Sequence, residues 1–188
     1  MPFATIDVTK GITGTIPVAN GGTGIASGTS GQFLKFTGST TLASSAVTTG
    51  KVLQVVRSTL SATTYTTSST FSTFFDAAIT ASNSNNYIFA LLTYGVDLYG
   101  ASTTEPQGAI RIVEGSSNTK SDMPLRTTNP GNSQYEREGG AMSGYWQAGG
   151  TSALDINVNV NCDAGRVGLW GNDGHTNATT LTLFEIEA

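Results

Sequence analysis

Apolar and polar side chains alternate without interruption along Ala153-Leu154-Asp155-Ile156-Asn157-Val158-Asn159-Val160-Asn161. Every apolar residue from Leu154 onward is followed by an aspartate or an asparagine. Successive side chains of a β-strand point to opposite faces, so this period of two predicts a strand with one buried face and one polar face. A chain that contains such a strand is expected to place a sheet against a core.

Short β-prone runs recur on both sides of this strand and are separated by turn residues. The predicted strands are Lys51–Arg57, Thr66–Phe75, Ala77–Ile79, Tyr87–Tyr94 with an extension to Leu98, Ala109–Val113, Met142–Gln147, Arg166–Trp170 and Thr179–Ile186. Ser116 to Gly140 has weak periodicity and contains Pro124 and Pro130, so we predict a long loop with at most one edge strand. No window predicts a helix of three turns. About eight strands at this spacing predict an all-β fold, an antiparallel β-sandwich of the jelly-roll type.

Residues 1–50 differ in composition and are predicted to form an extended arm, followed by a β-sandwich head over residues 51–188. Thr5–Thr9 and Gln32–Phe36 are short strand candidates within the arm. The arm also contains a segment with three glycines in four positions, which predicts a tight turn or a close approach of chains. An isolated pair of strands is marginally stable in water, so we expect the arm to pack on another surface.

Composition excludes several classes of protein. Charged residues make up 12% of the 188 residues, the net charge is −4 and the isoelectric point is near 4.8. The nine basic residues are scattered, which argues against a nucleic-acid partner. We expect no membrane insertion, because no apolar run approaches the roughly 18 residues of a spanning helix. No signal peptide is apparent, which predicts synthesis in a cytoplasm.

Five segments carry a resemblance to a known family. Ile12–Gly24, with the sequence ITGTIPVANGGTG, resembles a segment that recurs in bacteriophage tail fibres and related virion proteins, and Gly31–Leu34 resembles the step that often follows it. Gly50–Val56, Ile110–Gly115 and Leu181–Ile186 are similar to strands of a β-rich terminal domain of phage proteins. The glycine-rich segment occurs once here, whereas the fibres of that family are usually longer and contain repeats.

The resemblance implies a virion protein that forms a homotrimer, with the arm near the threefold axis and the β-head pointing outward. It implies that the arm attaches to other virion proteins. The residues that would form the attachment and trimer joint are Pro17, Asn20, Gly21, Gly22 and Gly24.

The sequence offers little catalytic or metal-binding chemistry. His175 is the single histidine, and its neighbours favour a turn over a catalytic base. Asp155, Asp163 and Asp173 lack the spacing of a calcium loop, so we expect no metal and no cofactor. The single cysteine, Cys162, is expected to be a free buried thiol, with an intermolecular disulfide as the alternative. We therefore expect a protein that is not an enzyme.

Aromatic side chains are the candidate binding residues. A ring offers an apolar face on which a sugar can stack, and nearby Asn, Asp and Gln side chains can bind its hydroxyl groups. The alternative is that the two tryptophans fill the core of the sandwich. The candidates are Tyr99, Tyr135, Tyr145, Trp146 and Trp170.

Three functions are compatible with these features. The first is a short trimeric tail fibre whose head binds a saccharide on the host surface. The second is a capsid decoration protein that stabilises the phage head. The third is an enzyme that acts on surface glycans.

Overall fold

The computed structural model describes residues 15–16, 22–25, 27–39, 41–46, 50–101, 104–127, 134–174 and 178–188. The chain divides into two compact units, Met1–Thr49 and Gly50–Ala188. Among the described residues, no helix has the length and apolarity that crossing a membrane requires. The all-β class that the sequence predicts is confirmed.

The described part of the first unit contains an antiparallel hairpin. Strand β1 (Phe33–Gly38) pairs with β2 (Thr41–Ser45), and the Thr37 and Thr41 hydroxyl groups lie 3.2 Å apart next to the turn. Both faces of β1 are exposed, with Phe33 and Phe36 retaining about two thirds of their accessible surface. The predicted strand at Thr5–Thr9 lies outside the described residues.

Gly22 and Gly24 form the described end of the glycine-rich segment. The amide of Gly24 donates a hydrogen bond to the carbonyl oxygen of Ile16 at 3.0 Å. Gly24 has a φ of 66°, and a Cβ on Gly22 would lie 2.1 Å from the same carbonyl oxygen. Glycine is therefore required at both positions. Pro17, Asn20 and Gly21 lie outside the described residues.

The second unit contains ten strands in its described part. They are β3 (Val52–Thr59), β4 (Thr64–Thr66), β5 (Ser72–Thr80), β6 (Tyr87–Gly100), β7 (Gln107–Glu114), β8 (Asn118–Arg126), β9 (Gln134–Gln147), β10 (Ala153–Ala164), β11 (Arg166–Leu169) and β12 (Thr180–Ile186). All pairings between them are antiparallel, and they form two sheets.

The first of these sheets, sheet A, is organised around β6. Strand β9 pairs with β6 along its whole length and occupies one side of it. On the other side, β12 pairs with Tyr87–Thr93 and β11 with Val96–Tyr99, so β11 and β12 form one interrupted strand. Strand β3 pairs with β12, and β4 pairs with β11, so β3 and β4 together form the next strand position of the sheet. Sheet A therefore has four strand positions, in the order β3/β4, β12/β11, β6, β9.

The second sheet, sheet B, has the strand order β5, β10, β7, β8. If β3 and β4 are counted together as strand 1, and β11 and β12 together as strand 8, the second unit has eight strands in chain order. Their spatial order is 1-8-3-6 in sheet A and 2-7-4-5 in sheet B. The chain crosses between sheets in the manner of two Greek keys, which is the strand order of a jelly roll. The predicted β-sandwich is confirmed.

One core lies between the two sheets. Ile156, Val158 and Val160 of β10 are completely buried, as the alternation in the sequence predicts. They face β6 and β12, whose Leu92 and Leu183 are equally buried. Burial of about 25 cal/mol per Å² of apolar surface makes this layer the main source of stability.

The prediction of a long loop between Ser116 and Gly140 is wrong in part, because β8 is the one edge strand that was predicted but the first half of β9 also lies there. Pro124 belongs to β8, which pairs only with β7 in the described residues and so tolerates a missing amide donor. Gly140 belongs to β9, where a Cβ would lie 2.4 Å from the Tyr94 hydroxyl oxygen. Proline and glycine therefore mark an edge and a close contact in this region, and not a loop.

The predicted strand Thr66–Phe75 is also wrong in its middle. The chain leaves β4 at Thr66 and enters β5 at Ser72. Between them, the Ser68 amide donates to the Thr66 hydroxyl and the Thr70 amide donates to the Ser68 hydroxyl, both at 3.1 Å. Such local bonds from backbone to hydroxyl groups compete with pairing between strands and break the element.

Candidate functional site

The outward face of sheet A collects most of the exposed aromatic side chains of the second unit. Even-numbered residues of β6 such as Ile88, Leu92 and Leu98 are buried in the core. The odd-numbered residues therefore point away from it, and the strand pairings align them with odd-numbered residues of β9 and even-numbered residues of β12 and β11. This face has a tyrosine–arginine end, a central groove and an apolar end.

The tyrosine–arginine cluster consists of Tyr65, Tyr99, Tyr135, Arg137 and Arg166. Arg166 lies opposite Tyr99 across β11 and β6, and Tyr99 lies opposite Tyr135 across β6 and β9. The Tyr99 and Tyr135 ring centroids are 4.6 Å apart. The Arg166 guanidinium lies 4.2 Å from the Tyr65 ring centroid and 5.4 Å from those of Tyr99 and Tyr135, which is cation–π distance for all three rings.

Asp97 provides a carboxylate within the same end of the face. It lies two residues before Tyr99 on β6, opposite Gly168 of β11 and Arg137 of β9. Only 2% of its surface is exposed, and its Oδ1 atom has no hydrogen-bond partner among the described residues. The Arg137 Nε atom lies 3.8 Å away, too far for a hydrogen bond. Asp97 therefore keeps a buried acceptor unused.

Two glycines make room for the rings that surround Asp97. A Cβ on Gly168 would lie 2.3 Å from Cδ1 of Tyr65, and a Cβ on Gly95 would lie 2.4 Å from Cε3 of Trp170. Trp170 follows β11 directly, and its amide donates to the Gly95 carbonyl oxygen at 2.9 Å. The ring of Tyr65 therefore packs on Gly168, opposite Asp97, and the ring of Trp170 packs on Gly95, two residues before Asp97.

Replacing Gly168 by alanine is expected to push the Tyr65 ring away from Arg166 and to lower the free energy of unfolding by about 1–3 kcal/mol through overpacking. Near-ultraviolet circular dichroism reports the tyrosine environment, and thermal unfolding reports the stability. Gly150→Ala is the matched control, because nothing lies within 4 Å of a Cβ at Gly150. An unchanged tyrosine signal in Gly168→Ala would contradict the arrangement of the cluster.

The central groove lies where the outward side chains are small. Its volume is about 520 Å³, and its walls include Thr93, Thr180 and Thr182, with Gly139 on β9 and Arg57 on β3. Hydroxyl groups and a guanidinium give this groove a polar lining.

The apolar end of the face lies beyond the groove. The rings of Phe89 and Phe184 are 5.8 Å apart, and Tyr145 stacks on Tyr87 with centroids 4.9 Å apart. Val55 on β3 and Tyr145 on β9 each expose more than half of their surface. Contiguous apolar surface of this kind is typical of interaction sites.

The structure brings some of the predicted site residues together and separates others. Tyr99 and Tyr135 are in direct contact, with Trp170 on the same end of the face. Tyr145 lies at the apolar end, and Trp146 points inward and packs against the core, 5.1 Å from the Lys120 ammonium. His175 lies outside the described residues.

Sequence reasoning missed Tyr65, Asp97 and Arg166. Asp97 interrupts the apolar run of β6, and a charge at such a position was the available signal for a site. Tyr65 and Arg166 come from distant parts of the sequence, and the pairing of β4 with β11 brings them together. No local pattern could have predicted that pairing.

Two other titratable side chains of the second unit, Cys162 and Tyr94, have pKa values raised by their surroundings. Burial raises the pKa of the Cys162 thiol, whose Sγ atom donates to the Ala164 carbonyl oxygen at 3.1 Å. Burial and the nearby Glu138 raise the pKa of Tyr94. Within the part of the chain that the structure describes, no group of three or more His, Cys, Asp or Glu side chains could hold a metal ion.

Comparison with protein-family models and with curated proteins gives no match. Among solved structures, the chain is similar to VP2 of infectious bursal disease virus in its subviral particle, at 10% identity and a TM-score of 0.37 over 80% of this chain and 41% of that chain. It is also similar to the enzymatically active domain of tailspike protein 4 of bacteriophage CBA120, at 14% identity and a TM-score of 0.23 over 68% of this chain and 19% of that chain. The chain thus spans about two fifths and one fifth of the lengths of these two chains.

Proposed function

We propose that this chain is a structural protein of a phage virion, a short trimeric tail fibre whose β-sandwich binds saccharides on the host cell surface. In this proposal, the first unit joins the copies to one another and to the virion, and the second unit is the outward head. The protein acts by binding and carries out no catalysis.

The observation that carries the binding proposal is the exposed tyrosine–arginine cluster around the buried Asp97. Tyr65 and Tyr135 each expose close to half of their surface or more, so their ring faces are accessible to a sugar. A pyranose ring presents apolar C–H groups that pack on an aromatic ring, and hydroxyl groups that pair with carboxylate and guanidinium groups. The cluster and Asp97 together provide all three kinds of group within one end of a sheet.

The trimer is supported by the resemblance of Ile12–Gly24 to the fibre segment and by the apolar end of sheet A. Three linked heads would raise the overall avidity for a repetitive surface without any new contact in each head. We expect light scattering to give a mass of three times the 19.4 kDa chain for the purified protein. A monomer would contradict this part of the proposal.

A capsid decoration protein is the second candidate, and the hairpin of the first unit favours it. Phe33, Leu34 and Phe36 expose more than half of their surface on both faces of β1. A hairpin that is apolar on both faces could lie between two neighbouring shell subunits and stabilise the assembled state. The number of copies per particle separates this function from that of a fibre.

Saccharide binding is tested by competition for adsorption. Purified protein, added to host cells before the phage, is expected to reduce phage adsorption. The double variant Tyr65→Ala/Tyr135→Ala is expected to compete about tenfold less well, since aromatic contacts contribute about 1 kcal/mol each. Phe71→Ala is the matched control, because Phe71 also packs on an arginine, Arg111 at 3.8 Å, but on sheet B. Equal competition by the double variant and the wild type would contradict binding at the cluster.

A further inference from the structure

Arg166 forms no ion pair with the described residues, although aromatic rings surround its guanidinium group. Its side chain is half-buried among three tyrosine rings, and its Nε atom is buried without a hydrogen-bond partner. No carboxylate of the described residues forms an ion pair with it. Removing a guanidinium from water without an anion is unfavourable, so a ligand that supplies the anion would be stabilised.

Other arginines of the second unit, in contrast to Arg166, form ion pairs with carboxylates. Arg111 pairs with Asp122 at 2.9 Å, and Arg126 pairs with Glu105 at 2.8 Å, both on exposed parts of the molecule. Arg166 is half-buried, as Arg111 is, but it has no such partner in the described residues. The rings of Tyr65 and Tyr99 hold its planar group in place, as a fixed site for an anion requires.

Asp97 supplies a second unused atom at the same end of the sheet. It lies opposite Gly168, two residues along β11 from Arg166. Its Oδ1 atom is a buried acceptor with no donor within hydrogen-bond distance among the described residues, since Arg137 Nε lies 3.8 Å away. An unsatisfied buried acceptor costs about 1–3 kcal/mol, which a donor from a ligand would recover. A ligand that fits both atoms must carry an anion and a hydroxyl group close together.

We propose that the saccharide bound by this face is acidic, with a sugar carboxylate paired to Arg166. When the Arg137 side chain, which is 60% exposed, moves aside, a neighbouring hydroxyl group of the sugar donates to Asp97 Oδ1. This inference rests on the proposed function and names the class of its ligand. Guanidinium and carboxylate groups form two parallel hydrogen bonds, which gives geometric selection as well as affinity. Arg137 and Arg166 carry two positive charges and the neighbouring Asp97 carries one negative charge, within a chain of net charge −4.

The test measures binding of trigalacturonic acid, and of the same trisaccharide with its carboxylates methylated, by isothermal titration calorimetry on the full chain. The wild type is expected to bind the acid at least tenfold more tightly than the ester, since a hydrogen bond to a charged group contributes about 1.5–3 kcal/mol. This comparison changes the ligand alone and does not depend on the folding of a variant. Equal affinity for acid and ester would overturn the inference.

Variants then locate the contact. Arg166→Gln and Asp97→Asn are each expected to weaken binding of the acid about tenfold or more, and Arg166→Lys to weaken it through loss of the planar fork. Arg126→Gln removes the same charge from sheet B and is expected to leave binding unchanged. If Arg126→Gln weakened binding as much as Arg166→Gln, the attraction would be general charge and the assigned contact would be wrong.

Two sources of acidic sugar, lipopolysaccharide and capsular polysaccharide, share this chemistry, and purified samples of each serve as competing ligands. Competition by either supports the inference and identifies the source. If neither these ligands nor trigalacturonic acid binds while the protein still blocks adsorption, the acidic ligand is wrong and the proposed function stands. If the protein also fails to block adsorption, the proposed function is wrong.

Discussion

Glu185→Ala is expected to lower the free energy of unfolding by about 3 kcal/mol, because it removes a buried carboxylate that holds one end of the sandwich together. Only 2% of Glu185 is exposed. Its Oε1 atom accepts three hydrogen bonds of 2.7 Å, from the Ser82 amide, the Ser82 hydroxyl and the Asn86 side-chain amide. Asn86 in turn accepts hydrogen bonds from the amides of Ala148 and Ala188. The carboxylate thus joins the turn before β6 to the residues after β9 and β12.

Denaturant unfolding measures this effect, and Asp155→Ala is the control. Asp155 is an exposed carboxylate on β10, and its loss is expected to change stability by less than about 0.5 kcal/mol. A similar small effect in Glu185→Ala would contradict the anchoring role.

The same carboxylate makes stability depend on pH. Burial alone would raise the pKa of Glu185, but the hydrogen bonds from Ser82 and Asn86 outweigh it and lower the pKa below the ordinary value of 4.5. The unfolded chain therefore binds the proton more readily, so this contribution is full above that value and is lost as the pH falls through the folded-state pKa. Melting temperatures of wild type and Glu185→Gln should converge as the solution is acidified. A constant difference across the acid range would contradict this assignment.

Leu183→Ala is expected to lower the free energy of unfolding by about 2–5 kcal/mol, since it leaves a cavity in the layer between the sheets. Leu183 is completely buried and lies on β12, which pairs with β3 on one side and β6 on the other. The neighbouring Thr182 points to the opposite face of the same strand and lines the groove. Thr182→Ala is therefore the matched control, with an expected change below about 0.5 kcal/mol. Equal losses in the two variants would contradict the assignment of inward and outward faces.

Much of the fold follows from patterns of period two. The alternation along Ala153–Asn161 correctly assigns the buried face of β10, and the spacing of turn residues predicts the sandwich. Prediction from sequence patterns failed at residues whose role depends on a contact with a distant part of the fold. Gly140 accommodates Tyr94, and Pro124 lies on an edge strand, yet both are loop signals in the sequence alone.

The candidate site was only partly predictable. Tyr99 and Tyr135 are candidates in the sequence because they lie near predicted loops, whereas the structure places them on β6 and β9. Their contact depends on the register between β6 and β9, and the position of Arg166 depends on its pairing with β6. Register is set by the packing of the whole sheet, so a reading of single segments cannot supply it.

Counting the copies of this chain in purified virions tests the central claim most directly. Quantitative mass spectrometry on washed particles of the phage that encodes it is expected to find a small number of trimers per particle, in proportion to a tail component. Absence from washed particles would contradict a virion protein altogether. Hundreds of copies per particle would contradict the fibre and identify the chain as a decoration of the capsid.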